Sequence, residues 1–195
     1  MKCTFNRSIV IDHLLKTFKN DNDVGIAFIY CTYEDKDKVL QTPVNLIASL
    51  WMQLLSSTPL SKEAIVLHKT RAESRSRPSL GEISQIFHTE IARYSKVFIV
   101  VDALDELSED MGIRESLLAE LRSLPGTVRL MVTSRDIHNI SDGFKDADRR
   151  EIYANEGDMR KYLGSYTAHL HSCVKENTIL QEMIISKIVQ IADGM

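Results

Sequence analysis

Apolar residues follow two alternating patterns along this chain. Continuous runs rich in Val, Ile and Phe, typical of strands buried on both faces, occupy Gly25–Tyr33, Val97–Val101 and Val128–Thr133. Around these runs, apolar residues recur every three or four positions, which predicts helices. The predicted helices are Ser8–Phe18, Pro43–Leu55, Ser61–Ala72, Ser79–Tyr94, Ile113–Leu124, Met159–His171 and Asn177–Ala192. The alternation predicts an α/β three-layer sandwich with a mainly parallel sheet and a C-terminal helical tail.

Local signals fix several element boundaries. Thr42 is suited to cap a helix whose first residue is Pro43. Ser79, with a glutamate three positions later, forms the pattern of a capping box. Polar residues predict a loop over Ser141–Asp148, and Arg150–Tyr153 is a candidate short last strand.

Composition limits the kinds of partner. The chain has 195 residues, a formal net charge of −3 and three cysteines that are far apart. The slight negative charge argues against a nucleic-acid binder, because such domains are usually basic. No apolar run approaches the roughly 20 residues that span a bilayer, so no membrane partner is expected. The odd, scattered cysteines indicate a reducing compartment, and we expect a cytoplasmic protein.

Three carboxylates follow the central strand in the segment KVFIVVDALDE, which ends at Glu106. Ligands of parallel sheets bind beyond the carboxyl ends of the strands, and Asp102 stands at such an end. An aspartate there can hold a nucleotide-bound Mg²⁺, and Asp105 and Glu106 can reach an attacking water. Alternatively, the segment is a solvated acidic loop, which is our interpretation of Glu109 and Asp110.

The next strand also ends in polar residues, in the segment VRLMVTSRD. The strand starts a helix's length after the first one and ends in Thr133, Ser134 and Arg135. An arginine at the end of a neighbouring strand can stabilise phosphate charge. Arg135 alone could equally be a surface arginine, and the hypothesis gains from its combination with Asp102.

The ordered pair of a hydrophobic strand with DALDE, then LMVTSRD, resembles the NACHT NTPases of the signal-transduction ATPase (STAND) class. It is most similar to the fungal proteins whose nucleotide-binding module is called nephrocystin-three-like N-terminal. The resemblance extends over nearly the whole chain, with SIVIDHLLKTF similar to the family's helix after the P-loop. It implies a P-loop NTPase-like fold, with a partial NACHT core over residues 1–155 and a helical tail over residues 156–195.

The resemblance also implies roles for individual residues. Asp102 corresponds to the Mg²⁺ aspartate, Asp105 and Glu106 to the catalytic acids, and Arg135 to the sensor arginine, with Thr133 beside it at the nucleotide. The implied cofactor is Mg²⁺ with ATP or GTP. The implied partners are further copies of the core, through self-association, and the protein domains that normally flank it.

One part of the family pattern is absent from the sequence. A P-loop requires G-x-x-x-x-G-K-[ST], but no Gly-Lys pair occurs anywhere in the chain. Lys2, Cys3 and Thr4 stand close to where the final Gly-Lys-Thr would fall, without the glycine. We therefore expect the first strand and P-loop to be missing, and hydrolysis to be weak or lost. The chain would then act as an interaction or switch module.

Two alternatives stay open on the sequence alone. The chain could be a metal-dependent hydrolase that uses Asp102, Asp105 and Glu106, with Asp35 and Asp37 as the nearest further acids. It could also be a purely structural α/β adaptor in which the acids have no function. Whether the chain is an enzyme is not decided by these patterns.

Overall fold

The computed structural model describes residues 9–33, 40–55, 59–152, 155–167 and 169–192. The chain divides into two compact units, Met1–Lys145 and Asp146–Met195. The sequence had suggested a division after residue 155. Among the described helices, none is both long enough and apolar enough to cross a membrane.

The first unit contains a parallel sheet of three strands in the order β1-β2-β3. The strands are β1 (Val24–Tyr30), β2 (Lys96–Asp102) and β3 (Val128–Val132). The helices are α1 (Ile9–Thr17), α2 (Pro43–Leu54), α3 (Lys62–Ser74), α4 (Leu80–Ile91), α5 (Ile113–Arg122) and α6 (His138–Gly143). The elements predicted before residue 133 are thus confirmed to within a few residues.

Both predicted helix caps form as expected. The Thr42 hydroxyl accepts a hydrogen bond from the Asn45 backbone N–H, with Pro43 at the first position of α2. At the start of α4, the Ser79 hydroxyl accepts from the Glu82 N–H while the Glu82 carboxylate accepts from the Ser79 N–H. These local contacts satisfy backbone donors that a helix leaves unpaired at its first turn.

Helices lie on both faces of the sheet, which confirms the α/β sandwich. One face packs against α2, α4 and α5 in a continuous hydrophobic core. The opposite face contacts α1, where the ring of Phe18 stacks on Phe98 with 5.2 Å between centroids. On β3 this second face bears Arg129 and Met131, which are exposed. The core residues contributed by the sheet are Ala27, Ile29, Val97, Ile99 and Val101.

Side-chain amides cover part of the outer border of β1 and the residues that follow it. The Gln53 amide on α2 accepts from Phe28 N–H at 3.1 Å and donates to Phe28 C=O at 2.8 Å. The Gln41 amide pairs in the same way with the backbone of Thr32. Each glutamine therefore occupies backbone groups that another strand would need.

After β3, one prediction is confirmed in part and another is wrong. The predicted loop Ser141–Asp148 begins too early, because Ser141–Gly143 belong to α6, whose Ile140 is buried in the core, whereas residues 144–148 lie outside helix and strand as expected. Arg150–Ile152 forms no strand. Ile152 is 90% exposed, so this stretch has neither a core face nor a neighbouring strand to pair with. Tyr153, the last residue of that predicted strand, lies outside the described residues.

The second unit is helical. It contains α7 (Glu156–Thr167), α8 (Ser172–Lys175) and α9 (Thr178–Ala192), with Ile185 and Val189 buried on α9. Arg160 joins α7 to α9, since its guanidinium contacts Glu156 at 2.8 Å and Glu182 at 2.7 Å. The predicted helix Asn177–Ala192 is confirmed as α9. The predicted helix Met159–His171 corresponds to α7, which ends earlier, at Thr167, and is followed by α8.

Candidate functional site

The candidate site lies at the carboxyl edge of the sheet, where all three strands end. β1 and β2 finish opposite each other, with Tyr30 paired to Asp102. Cys31 continues the ladder by donating its N–H to the Asp102 carbonyl at 2.9 Å. On the other side, Thr133 donates its N–H to the Val101 carbonyl, also at 2.9 Å. The parallel sheet thereby brings the predicted aspartate and threonine to one edge.

The carboxylate of Asp102 is held by Thr133. The Thr133 hydroxyl donates to Asp102 Oδ1 at 2.5 Å, and the Thr133 hydroxyl oxygen accepts the Ala103 N–H at 2.9 Å. The Thr133 carbonyl accepts the Leu104 N–H at 3.0 Å. One residue at the end of β3 therefore fixes both the metal-candidate carboxylate and the start of the turn that follows it.

The turn after Asp102 is tight. Ala103 adopts the left-handed conformation, with φ 55°, and leads into a short 3-10 helix over Leu104–Glu106. A non-glycine residue seldom adopts this conformation, and a small side chain reduces its cost. Leu104 and Leu107 are buried and anchor the turn in the core. Asp105 and Glu106 lie between these two anchors.

Asp105 forms an ion pair with Arg135. Arg135 donates from Nε to Asp105 Oδ2 at 2.5 Å and from its backbone N–H to Oδ1 at 3.2 Å. The Asp105 side chain is only 5% exposed, whereas that of Arg135 is 80% exposed. Burial raises the pKa of Asp105, but the hydrogen bonds from Arg135 outweigh it and hold the pKa below its usual value. Two residues predicted separately for the site are thus in direct contact.

Arg114 is part of the same arrangement, although the sequence had not singled it out. Its guanidinium donates to the carbonyls of Asp105 at 2.9 Å and Leu107 at 2.6 Å, and it pairs with the Glu109 carboxylate. The interpretation of Glu109 as a merely solvated acid is incomplete, because it compensates a buried charge. One signal was present in the sequence: Arg114 stands on the apolar stripe of α5, three and four positions before Leu117 and Leu118.

The pKa of the Cys31 thiol reflects the negative charge at the carboxyl edge of the sheet. Burial, and after it the negative charges of Asp102, Glu106 and Asp105, raise the pKa of the Cys31 thiol to about 12. Because a charge affects a pKa only when it is near, the three candidate carboxylates act together on this one position.

We expect Cys31 to resist alkylation while the protein is folded. The thiolate is the reactive form, and burial together with the raised pKa keeps Cys31 protonated at pH 8. Cys173 is exposed and should react quickly. Iodoacetamide labelling at pH 8, followed by peptide mapping, compares the two residues within one sample. Equal labelling rates in the folded protein would show that the edge is open to solvent.

The candidate metal ligands do not form a closed cage. Among the described residues, no three His, Cys, Asp or Glu side chains lie close enough together to hold a metal ion. Asp102 therefore stands as a single candidate ligand beside the Thr133 hydroxyl. The further acids Asp35 and Asp37, and the segment containing Lys2 and Thr4, lie outside the described residues.

Residues 4–135 match the nephrocystin 3 N-terminal family. The chain belongs to the nephrocystin 3 N-terminal family. The matched span ends at Arg135 and so contains every candidate site residue predicted above. No curated protein has significant similarity to the chain. The membership confirms the resemblance to the nephrocystin-three-like N-terminal module, and the roles of single residues in this nephrocystin-type domain stay predictions.

Proposed function

We propose that this nephrocystin-type domain provides the magnesium-binding and sensor side of a NACHT-type nucleotide site. In this proposal it acts as an interaction or switch module of the signal-transduction ATPase class, with little hydrolysis of its own. The observation that carries the proposal is the juxtaposition of Asp102 and Arg135 at the ends of adjacent strands. Thr133 orients the first, and Asp105 is paired with the second.

The residues at the edge suit a Mg²⁺–nucleotide. Mg²⁺ prefers oxygen ligands and is commonly bound by one or two carboxylates together with water and phosphate oxygens. Asp102 offers a half-buried carboxylate whose orientation is already set by Thr133. When bound, the metal supplies positive charge that offsets the charge of the phosphates. Asp102 corresponds to the Walker B position in this proposal.

Arg135 is suited to contact the phosphates. Its side chain is largely exposed, so its guanidinium is accessible to an anion from solvent. A guanidinium can donate two parallel hydrogen bonds to a phosphate group. The contact with Asp105 holds the Arg135 side chain near the sheet edge. Phosphate binding would therefore cost less side-chain conformational entropy at Arg135.

Weak hydrolysis follows from two features of the chain. The sequence contains no G-x-x-x-x-G-K-[ST], whose backbone N–H groups and lysine would surround the phosphates. In addition, the carboxylate of Asp105 is occupied by Arg135, which lowers its capacity to accept a proton from water. Both features favour a module that responds to nucleotide over one that turns it over.

The proposal extends to partners and compartment. Family resemblance suggests self-association through the core and contact with flanking domains, with either ATP or GTP as the nucleotide. Cys31 and Cys173 are free thiols, consistent with a reducing compartment such as the cytoplasm.

We expect the chain by itself to bind Mg²⁺–ATP and Mg²⁺–GTP weakly. Electrostatic contacts from Arg135 and a metal on Asp102 cannot replace several preorganised backbone donors. Isothermal titration calorimetry should show no binding of micromolar or greater strength for either nucleotide. Amide NMR shifts should locate any weak binding at Ala103 and Thr133, and the shifts should lose their Mg²⁺ dependence in Asp102→Asn. Micromolar affinity, or shifts confined to other regions, would contradict the proposal.

A further inference from the structure

Arg114 is a charged residue in an apolar environment. It is 4% exposed and shares the buried face of α5 with Leu117, Leu118 and Leu121. Burying a guanidinium costs several kcal/mol unless hydrogen bonds and an opposite charge compensate it. The Nε of Arg114 is buried without a hydrogen-bond partner, so compensation is incomplete even here. A leucine would suit this position of the helix better if packing were its only role.

Among the described residues, the side-chain hydrogen bonds of Arg114 all go to one loop. One terminal nitrogen donates to the carbonyls of Asp105 and Leu107, and the other contacts the Glu109 carboxylate. These three acceptors belong to the segment between β2 and α5, which carries the candidate catalytic acids. The interaction therefore joins the first turn of α5 to the backbone around Asp105 and Glu106.

We propose that Arg114 is a positioning residue that fixes the loop over residues 103–109, and through it the carboxylates of Asp105 and Glu106, at the carboxyl edge of the sheet. Its relevance to nucleotide chemistry rests on the proposed function. The ordering of the loop itself does not, and it can be measured without nucleotide or metal.

Two arginines bind Asp105, one at its backbone carbonyl and one at its side-chain carboxylate. Arg114 binds its carbonyl oxygen, and Arg135 binds its carboxylate. The start of the loop is fixed separately by Thr133, whose carbonyl accepts the Leu104 N–H. With the carbonyl released, the contacts left to Asp105 itself among these would be those of its carboxylate with the Arg135 side chain and backbone N–H. A planar guanidinium can reach two carbonyls and a carboxylate at once, whereas a lysine ammonium on its flexible stem is a poor substitute.

Hydrogen exchange of the whole chain tests the proposal. In Arg114→Met, which keeps the buried stem but removes all donors, exchange protection at the Glu106 and Leu107 amides should fall about tenfold or more, while that of Leu104, which is bound by Thr133, should change less. Arg114→Lys should lose much of the same protection, because charge alone does not replace the two carbonyl contacts. Amides of β1 and β2 should keep their protection. Wild-type protection of the loop in both variants would overturn the proposal.

A control variant and an NMR signal distinguish positioning of the loop by Arg114 from a general loss of stability. Arg71 on α3 is another paired arginine. Its guanidinium contacts Glu82 on α4 and Ser76, neither of which belongs to the loop. Arg71→Met should therefore leave loop protection unchanged. The Arg135 Nε–H resonance reports the contact with Asp105, and it should broaden or move in both Arg114 variants but not in the control. An unchanged resonance in Arg114→Lys, with the sheet intact, would show that Asp105 needs no positioning by Arg114.

The outcomes also distinguish this inference from the proposed function. A failed nucleotide titration together with a released loop in the Arg114 variants would reject the nucleotide site and retain the role of Arg114 in positioning the loop. Conversely, Mg²⁺-dependent binding with an unaltered loop in both variants would reject the role of Arg114 alone.

Discussion

Nucleotide hydrolysis should disappear in the double variant Asp105→Asn with Glu106→Gln, while nucleotide binding persists. The protein for this experiment carries a family strand and G-x-x-x-x-G-K-[ST] loop joined ahead of Arg7, which supplies the phosphate contacts. Both acids lie on the turn after Asp102 and stay near-isosteric in the variant. Loss of a general base costs roughly 10²–10⁴-fold in rate. Steady-state phosphate release and equilibrium nucleotide binding are measured on the same preparations.

The control for this experiment lies in the same region. Asp110 and Glu115 are exposed acids that follow the turn without forming part of it. Asp110→Asn with Glu115→Gln removes the same amount of charge and should keep the parent rate. If the variant at Asp105 and Glu106 turned over nucleotide at the parent rate, neither acid could be the base.

Asp102→Asn, made in the same extended protein, should weaken Mg²⁺-dependent nucleotide binding by about tenfold or more, since the negative charge that favours a dication is lost. Stability should change little. The Thr133 hydroxyl donates to Asp102 Oδ1, and the amide oxygen of asparagine can accept that bond in the same place. Thermal unfolding and nucleotide titrations at low and high Mg²⁺ are the measurements.

The same titrations test the structural alternative. If Asp102 only secures the turn through Thr133, asparagine serves almost as well and metal dependence is retained. Identical Mg²⁺ dependence in the parent and Asp102→Asn would therefore remove Asp102 from the metal site and, with it, the Walker B assignment.

Elements with local causes could be predicted from the sequence. Thr42 before Pro43, and Ser79 with Glu82, determine helix starts through contacts within four residues, and both caps form. The continuous apolar runs correctly predicted a parallel sheet, because strands covered on both faces need few polar positions. The parallel arrangement in turn placed Asp102 and Thr133 at one edge.

Features that depend on distant contacts could not be predicted in the same way. Ile140 forms part of a helix because it reaches the core, although its neighbours are polar and typical of a loop. The pairing of Asp105 with Arg135 joins residues 30 positions apart and requires the exact length of the turn after β2. Arg114 stands in an apolar stripe, where a periodicity argument expects a hydrophobic residue, and its role emerges only from three loop acceptors.

The glutamine amides along β1 make the two borders of the sheet unequal in their capacity to pair with a strand from another copy. Gln53 and Gln41 occupy backbone groups of Phe28 and Thr32, whereas β3 is the other border of the sheet, with no strand beside it among the described residues. If two copies paired through their β3 strands, both β3 borders would be occupied. The borders left exposed would be the β1 borders, where the glutamines already bind backbone groups. Polymerisation needs an open border at both ends of the growing unit. We therefore expect edge-to-edge pairing between copies of this domain to stop at a dimer and not to propagate into a fibre.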